Sequence, residues 1–264
     1  MPNYLTFSEA LADAKHVSVR KYAAMRSAGW VANAGLWSKY AKADPFRKSS
    51  YNGAIRAIMD EFPEHPGRPL TVADFGCGDG VLLERVGKRF PKSRLFGLDN
   101  CREFDPVAMN RNEPYEFIST DIEASEVNLP YPLDVVLCVL ALIEMHPVDT
   151  VIGKIAAALR PGGIAVITVL DPTEELLRYL ILKLSESDTT LLKVGNELVV
   201  ASHFSVNNYR SPKPYYRFIR PLDIYLTVLK THGMQIEQMR MVGRGSSKML
   251  SLLPRGVLIK ARKI

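Results

Sequence analysis

The segment that most constrains the fold of this chain is residues 71–80, where a short apolar strand runs directly into a glycine-rich turn. Thr71-Val-Ala-Asp-Phe75 has the length and composition of a buried strand, and Asp74 is its only polar interruption after the first residue. Three glycines follow at alternate positions from 76 to 80, and an apolar run then begins a helix. Glycine lets the backbone approach a ligand without a Cβ clash, and the first N–H groups of a helix are free. The segment therefore predicts a strand–turn–helix unit with a ligand at the turn.

Spacing excludes two common phosphate-binding turns. The dinucleotide fingerprint G-x-G-x-x-G needs a third glycine where this chain has Val81. A P-loop needs Gly-Lys-Ser/Thr, which does not follow the turn. Asp74 would repel a pyrophosphate but could bind an ammonium group, either directly or through water.

The glycine turn has an acid on each side of it in sequence: Asp74 precedes it, and Asp99 ends the next predicted strand. This arrangement resembles the first signature of the class I S-adenosylmethionine-dependent methyltransferases. By order of elements the resemblance covers roughly residues 70–264, although specific motif residues are few. It implies S-adenosylmethionine as cofactor and S-adenosylhomocysteine as product.

Hydrophobic periodicity changes near Leu70 from helical spacing to alternating strands and helices. Near-continuous apolar strands that alternate with helices indicate a parallel sheet covered on both faces. We predict an α/β fold with a doubly wound, mostly parallel seven-stranded sheet, whose last two strands form an antiparallel hairpin. The predicted strands are 71–75, 94–98, 115–118, 133–140, 164–170, 234–242 and 256–262, and the clearest helices are 147–160, 173–184 and 221–232.

The chain is predicted to be one methyltransferase domain with three parts. Residues 1–62 form a helical N-terminal lid, and residues 63–170 and 221–264 form the cofactor-binding core. Residues 171–220 are an insertion in which this family builds its acceptor pocket. The length of 264 residues suits a single large α/β domain.

Composition indicates a globular protein without a membrane span. The longest apolar run, residues 135–143, is too short to cross a bilayer, and the N-terminus lacks the pattern of a signal peptide. Three scattered cysteines without C-x-x-C spacing favour reduced thiols in a cytoplasmic protein and argue against a metal framework.

Charge is distributed unevenly around a net value of +6. Residues 61–170 carry ten Lys or Arg against sixteen Asp or Glu, whereas both ends of the chain are basic. The acidic middle suits a cationic sulfonium. The diffuse basic ends give only a weak indication of an anionic partner.

The resemblance assigns cofactor contacts at the carboxyl ends of the predicted strands. The turn residues surround the cofactor, Asp74 binds its ammonium group, and Asp99 accepts hydrogen bonds from the ribose hydroxyls. Asp121 and Ile122 contact the adenine, the end of the fourth strand passes beneath the methionine portion, and two lid residues contact its carboxylate. The predicted cofactor-binding residues are Tyr40, Arg47, Asp74, Gly76, Cys77, Gly78, Gly80, Asp99, Asn100, Asp121, Ile122, Cys138 and Val139.

Two groups just past the fourth strand are candidates for acid–base catalysis. His146 has an unperturbed pKa near neutrality, which suits a general base, and Glu144 is its neighbour. The strand end Cys138-Val-Leu140 lacks the acceptor motifs of DNA methyltransferases and the clustered acids that bind a divalent ion. The strand end therefore favours a metal-independent enzyme that acts on a small molecule.

Four residues of the insertion are candidates for binding the acceptor: His203, Tyr215, Tyr216 and Arg217. Aromatic rings suit a planar acceptor, and a run of arginines and lysines without acids over 201–220 suits an anionic one. We therefore expect an anionic or aromatic small molecule.

Two other functions remain open from the sequence. The basic pI near 9.2 is compatible with an RNA methyltransferase, but the missing amine-acceptor motif and the lack of an RNA-binding module disfavour nucleic acid. An inactive S-adenosylmethionine-binding subunit is the second alternative. The leucine-rich helix over 173–184 is compatible with a homodimer.

Overall fold

The computed structural model describes residues 14–63, 68–104, 115–184, 189–206, 209–243 and 254–264. Among these residues no helix combines the length and apolar character needed to cross a bilayer. The elements are, in chain order, β1 (Lys15–Val17), α1 (Val19–Ala43), α2 (Pro45–Glu61), β2 (Thr71–Phe75), α3 (Val81–Arg89), β3 (Arg94–Asp99), β4 (Glu116–Ser119), β5 (Leu133–Val139), α4 (Val148–Ala158), β6 (Leu159–Leu170), α5 (Pro172–Leu184), β7 (Thr190–Val194), β8 (Glu197–Ser202), β9 (Ser205–Val206), β10 (Tyr209–Arg210), β11 (Tyr215–Ile219), α6 (Leu222–Thr231), β12 (Met234–Val242) and β13 (Gly256–Lys263).

The main sheet has seven strands in the order β12-β13-β6-β5-β2-β3-β4. Strands β6, β5, β2, β3 and β4 pair in parallel, whereas β13 pairs antiparallel with both β12 and β6. Helices cover both faces, and β2 and β5 are buried along their whole length because both of their faces are covered. The predicted mostly parallel sheet and its terminal hairpin are confirmed.

Strand order reverses between β2 and β5. From β2 the chain proceeds outward to β3 and β4, and it then returns to the other side of β2 to form β5 and β6. Ligands of open α/β sheets bind beyond the carboxyl ends of the strands at such a reversal. The glycine turn after β2 and the loop after β5 meet there.

The N-terminal segment differs from the helical lid that the sequence predicts over residues 1–62. Residues 15–17 form strand β1, which pairs in parallel with β7 of the insertion, and residues 6–13 lie outside the described part of the chain. Ser18 caps the start of α1. Asp44 separates the two helices because its carboxylate accepts a hydrogen bond from the Phe46 N–H (2.9 Å), and Pro45 then begins α2.

The insertion forms a second sheet of four strands in the order β1-β7-β8-β11. It packs against the loop that follows β5, which carries residues 140–147. Arg220, which follows β11, donates to the carbonyl oxygens of Leu142 (3.0 Å) and Met145 (2.7 Å), and its Nε donates to Glu197 on β8. The Phe218 N–H donates to the Ile143 carbonyl (2.8 Å). The insertion therefore fixes the backbone of the loop that borders the ligand-binding end of the sheet.

We predict that Arg220→Met destabilises the protein by about 3–5 kcal/mol, because it removes the buried guanidinium that pairs with the Glu197 carboxylate and donates to two carbonyl oxygens of the loop. Urea unfolding followed by circular dichroism measures the loss. Arg240→Met on the edge strand β12 is the matched control and should change the unfolding free energy by less than about 0.5 kcal/mol. Equal effects of the two substitutions would contradict this account of how the loop is fixed.

Candidate functional site

A cavity opens at the carboxyl ends of β2, β3, β4 and β5, beneath helices α1 and α2. Its empty volume, including its opening to solvent, is about 1060 Å³. Most of the residues that the sequence predicts for the site lie in its wall. Those residues are Tyr40, Arg47, Gly76, Cys77, Gly78, Asp99, Asn100, Asp121, Ile122, Val139, Glu144, Tyr215 and Arg217.

The glycine turn forms the floor of the cavity. Gly76 and Gly78 have φ of +80° and +53°, which residues with side chains rarely adopt. A Cβ at Gly76 would overlap the Cβ of Ala141, because the turn after β2 lies directly against the loop after β5. Gly80 also has a positive φ, but a side chain there would collide with Tyr115, so its role is packing behind the cavity wall.

Asp99 joins the turn to the end of β3. One carboxylate oxygen accepts the N–H of Gly78 and the other accepts the N–H of Cys101, both at 2.9 Å. Each carboxylate oxygen has two lone pairs, so the group can still accept hydrogen bonds from a ligand in the cavity. Burial raises the pKa of this carboxyl, whereas the two backbone N–H groups oppose that rise.

Asp74 lies behind the turn rather than in the cavity wall. It is buried in β2, and its Oδ1 has no hydrogen-bond partner among the described residues. Burial raises its pKa to about 8, and the nearby charge of Asp99 adds to the rise. Asp74 therefore does not line the cavity, and its ammonium contact, direct or through water, stays a prediction.

Arg47 ties α2 to the glycine turn. Its guanidinium forms an ion pair with the buried carboxylate of Asp79, and its Nε donates to the Tyr51 hydroxyl (2.7 Å). The sequence analysis did not single out Asp79, although it lies between Gly78 and Gly80. Arg47 lines the cavity, but these two partners already engage three of its nitrogens.

The loop after β4 supplies Asp121 and Ile122. Asp121 lines the cavity, and its Oδ1 also accepts the N–H groups of Glu123 (3.0 Å) and Ala124 (3.3 Å), which stabilises the turn. Lys154 on α4 donates to the Ile122 carbonyl (2.7 Å) and so supports the loop from below. The side chain of Ile122 is buried in the wall.

Strand β5 ends at the cavity wall, and the backbone is strained at the residue that follows it. Val139 and Leu140 line the wall, and Leu140 has a φ of +64°, a left-handed conformation that is costly for a residue with a side chain. Cys138 does not line the cavity, because it is completely buried within the sheet. Of the two residues predicted at this strand end, only Val139 lines the cavity, together with the following Leu140.

Glu144 places a carboxyl group in the cavity wall. It is 7 % exposed, and the indole Nε1–H of Trp30 on α1 donates to its Oε2 (2.6 Å). Burial raises its pKa to about 8, against the lowering effects of the Arg26 charge and of the Trp30 hydrogen bond. Its main-chain carbonyl accepts hydrogen bonds from the hydroxyl of Tyr22 (2.7 Å) and from Arg26 (2.8 Å).

His146 does not line the cavity. Its Nδ1 lies 2.7 Å from the Glu197 carboxylate, and its ring stacks on Phe218 with the centroids 5.5 Å apart. The ring therefore lies toward the insertion sheet, and its geometry does not support the role of general base that the sequence suggested. Of the two predicted acid–base groups, only Glu144 lies in the wall.

Alternation along β11 decides which insertion residues reach the cavity. Tyr215 and Arg217 line it, whereas Tyr216 between them packs against Tyr22 on the opposite face (5.8 Å between ring centroids). His203 is also outside the wall, and its Nδ1 lies 2.8 Å from the Ser211 carbonyl oxygen. Of the four predicted acceptor-binding residues, only Tyr215 and Arg217 therefore lie in the cavity wall.

Aromatic rings form one side of the cavity. Trp37 contacts Trp30 edge-on with 5.0 Å between ring centroids, and Tyr40 lies 5.4 Å from Trp37. Phe204 packs behind them against Tyr40 and Tyr215, at 5.0 Å and 5.8 Å. This wall excludes water and presents flat apolar surfaces to a ligand.

The sequence analysis missed several polar wall residues, including Arg26, Asp44, Glu123 and Arg255. Arg26 pairs with Glu123, and Arg255 lies 3.4 Å from Asp44. Arg26 and Asp44 belong to α1 and its C-terminal end, and Arg255 precedes β13. No local motif marks these positions, because only the packing of distant segments brings them to the cavity.

No group of three or more His, Cys, Asp or Glu residues is arranged to hold a metal ion within the described ranges. The acids of the wall are instead bound to arginines, to backbone N–H groups or, in the case of Glu144, to the indole N–H of Trp30. The arrangement suits an organic ligand with a cationic centre and hydroxyl groups.

Comparison with known proteins finds relatives among methyltransferases. A family model described as "Methyltransferase domain" matches residues 72–163. The chain is 31 % identical over 104 residues to a trans-aconitate 2-methyltransferase from Paracidovorax citrulli, covering 39 % of this chain and 40 % of that protein. It is 26 % identical over 165 residues to another from Rhodopseudomonas palustris, covering 62 % and 61 %. The chain thus spans about 40–61 % of the length of these two relatives.

Two solved structures show the same fold. One is 1,6-didemethyltoxoflavin-N1-methyltransferase from Burkholderia thailandensis, with a TM-score of 0.62, 19 % identity, and coverage of 95 % of this chain and 92 % of that chain. The other is an S-adenosylmethionine-dependent methyltransferase from Clostridium acetobutylicum, with a TM-score of 0.60, 14 % identity, and coverage of 87 % and 97 %.

We predict that the indole N–H of Trp30 reports the ionisation of Glu144. The sequence contains two tryptophans, so a ¹⁵N–¹H correlation spectrum contains two indole signals, and Trp37→Phe assigns them. The Trp30 signal should move downfield as pH rises through about 8, because the ionised carboxylate accepts the stronger hydrogen bond.

Glu144→Gln should abolish this shift, whereas Glu116→Gln on the exposed start of β4 should leave it intact. A midpoint near the ordinary glutamate value of 4.5 would contradict the effect of burial on Glu144.

Proposed function

We propose that the chain, which matches a methyltransferase family model over residues 72–163 and has the fold of solved methyltransferases, transfers a methyl group from S-adenosylmethionine to a small-molecule acceptor bound in the same cavity. The observation that carries this proposal is the position of Asp99. Its carboxylate lies in the cavity wall and is bonded to the glycine turn through the N–H of Gly78. An acid so placed can accept hydrogen bonds from two neighbouring hydroxyl groups of a ribose.

The rest of the nucleoside would lie toward β4. Ile122 offers an apolar surface to the adenine ring, and Asp121 offers a carboxylate oxygen to its amino group. The methionine portion would then cross the glycine turn toward Val139 and Leu140. Tyr40 and Arg47 remain candidates for its carboxylate, although Arg47 would have to share its charge with Asp79.

The charge of the wall suits a cationic cofactor. Five acids and four arginines line the cavity, and Glu144 and Asp99 are not ion-paired with any of those arginines. The acids of the wall outnumber its arginines by one, which favours a cationic sulfonium. The lining acids are Asp44, Asp99, Asp121, Glu123 and Glu144, and the arginines are Arg26, Arg47, Arg217 and Arg255.

S-adenosylmethionine supplies a methyl group that its sulfonium already activates. The chain's own residues align the acceptor with that methyl carbon, and good alignment can supply roughly 7–11 kcal/mol of the barrier. The acceptor's lone pair forms the new bond to carbon as the carbon–sulfur bond breaks and its electrons remain on sulfur. Where the acceptor atom carries a proton, the Glu144 carboxylate would take it, and the aromatic wall excludes competing water.

Three observations favour a small molecule as acceptor. The cavity is bordered by the helices α1 and α2 and by the insertion, which leaves a bounded space rather than an open groove. The two relatives are named for trans-aconitate, and the Burkholderia structure is described with 1,6-didemethyltoxoflavin and S-adenosylhomocysteine bound. The acceptor of this chain need not be either compound, because the matched regions cover only part of the two relatives and the sequence identity to the Burkholderia structure is 19 %.

The homodimer that the sequence suggests remains a prediction.

We predict that Asp99→Ala weakens S-adenosylmethionine binding by about 10-fold to 100-fold, since a hydrogen bond to a charged group contributes roughly 1.5–3 kcal/mol. Isothermal titration calorimetry measures the affinity, and circular dichroism confirms that the variant is folded. Asp149→Asn, an exposed position on α4, is the control. Unchanged affinity in Asp99→Ala would rule out the ribose contact.

We predict that Glu144→Gln lowers turnover by about 10²-fold or more for an acceptor that must lose a proton, because the amide cannot act as a base. An acceptor is first identified by transfer of radiolabelled methyl groups to a panel that includes trans-aconitate and 1,6-didemethyltoxoflavin. In the unsubstituted protein kcat should rise with pH through about 8, as the carboxyl ionises.

Binding of S-adenosylmethionine should be unchanged in Glu144→Gln, and Glu116→Gln should keep full turnover. If Glu144→Gln retains the turnover and pH profile of the unsubstituted protein, Glu144 is not the base. Binding of the cofactor without any transfer would favour the inactive subunit.

A further inference from the structure

The cavity extends well past the region assigned to the nucleoside. In the strand order β13-β6-β5-β2-β3-β4, Asp121 and Ile122 follow β4 at one side. Leu170 ends β6 and Arg255 precedes β13 at the other side, and both line the cavity. The nucleoside would not reach this far end, so the acceptor would occupy it.

Arg255 presents a buried guanidinium there with few partners. It is 7 % exposed, and its Nε has no hydrogen-bond partner among the described residues. Its Nη1 lies 3.4 Å from an Asp44 oxygen, and the group lies over the Phe46 ring, 4.6 Å from the centroid. A buried N–H group without an acceptor is costly, so this position is suited to a ligand that supplies one.

Arg217 faces the same end from β11. Its Nε donates to Glu175 on α5 (2.6 Å), and its Nη1 donates to the Ser202 hydroxyl (3.1 Å). The guanidinium also lies 4.2 Å from the centroid of the Tyr215 ring. These contacts fix its plane, so it is preorganised to bind a planar anion with little loss of side-chain entropy.

The acids near this pair leave part of the Arg255 guanidinium unoccupied. Asp44 is the ion-pair partner of Arg255, and Glu175 is the partner of Arg217. Glu144 lies near Arg217, and burial raises its pKa to about 8. Glu174 neighbours Arg178, with 3.6 Å between Oε1 and Nε, and burial raises its pKa as well. The Nε–H of Arg255 is thus left for an incoming carboxylate.

We propose that Arg217 and Arg255 form an oxyanion subsite that binds a carboxylate group of the acceptor, with the acceptor's body against Tyr40, Phe46 and Tyr215. The inference rests on the proposed methyl transfer and specifies the substrate class of the same cavity. Guanidinium groups bind carboxylates with paired hydrogen bonds, and aromatic faces suit a planar body. The carboxylate of the cofactor's own methionine portion has the same chemistry, so the test must separate the two sources.

The experiment compares benzoate with benzamide, which has nearly the same shape without the charge. Binding of each to the protein saturated with S-adenosylhomocysteine is measured by calorimetry, with chemical-shift titration for weak binding. We expect benzoate to bind at least about 10-fold more tightly, since charge-assisted hydrogen bonds to guanidinium are the difference. Arg255→Met should remove this preference, Arg255→Lys should retain part of it, and Arg240→Met should retain all of it.

Three results would overturn the proposal. Equal affinities for benzoate and benzamide would exclude an oxyanion subsite, and an unchanged preference in both Arg255 variants would exclude Arg255 from it. A loss of S-adenosylhomocysteine affinity in Arg255→Met and in Arg255→Lys, both folded by circular dichroism, would assign the guanidinium to the cofactor's carboxylate. The benzoate comparison is also made without S-adenosylhomocysteine. It therefore tests the subsite even if the cofactor does not bind and the proposed function fails.

Discussion

Four arginines of the cavity wall are each matched to a carboxylate, and these ion pairs join segments far apart in the chain. Arg47 on α2 binds Asp79 in the glycine turn, and Arg26 on α1 binds Glu123 after β4. The other two pairs are Arg217 with Glu175 and Arg255 with Asp44. Breaking one buried pair leaves an uncompensated charge, which is strongly destabilising. The cavity therefore forms only when the N-terminal helices, the core and the insertion are assembled together.

Burial raises the pKa of several acids that lie outside these pairs. Glu144 has an indole N–H and a cavity beside it rather than a guanidinium of its own, and its pKa rises to about 8. Asp74 is buried behind the turn with the same direction of shift. Of Glu144 and Asp74, only Glu144 lies in the cavity wall, where it can exchange a proton with a bound molecule. Burial with incomplete pairing raises the pKa of a carboxyl, which makes Glu144 a candidate for a reactive group.

The fold could be predicted from the sequence because its signals are local. A buried strand such as Thr71–Phe75 is apolar throughout, and the periodicity over 148–158 indicates a helix. That the glycine turn and Asp99 meet at one cavity was equally predictable, since both lie at strand ends whose position follows from parallel topology. Strand β1 was not predictable, because three residues pair with a strand about 175 positions later in the chain.

The acceptor side of the cavity could not be predicted in the same way, because it depends on contacts between segments that are far apart in the sequence. Glu144 and His146 are two residues apart, yet one faces the cavity and the other faces Glu197, because the insertion sheet fixes the loop between them. Tyr215 and Tyr216 separate for the simpler reason that neighbouring residues of a strand point to opposite faces.

By itself, the sequence determined the mostly parallel sheet, the glycine turn and the acid that lies beside it, since glycine's backbone freedom and the alternation of strands with helices are local properties. Only the tertiary structure decided which carboxyls are buried without an arginine partner and which arginines line the far end of the cavity. Charge pairing and burial are set by contacts between distant segments. Arg255, almost at the end of the chain, meets Asp44 from near its beginning.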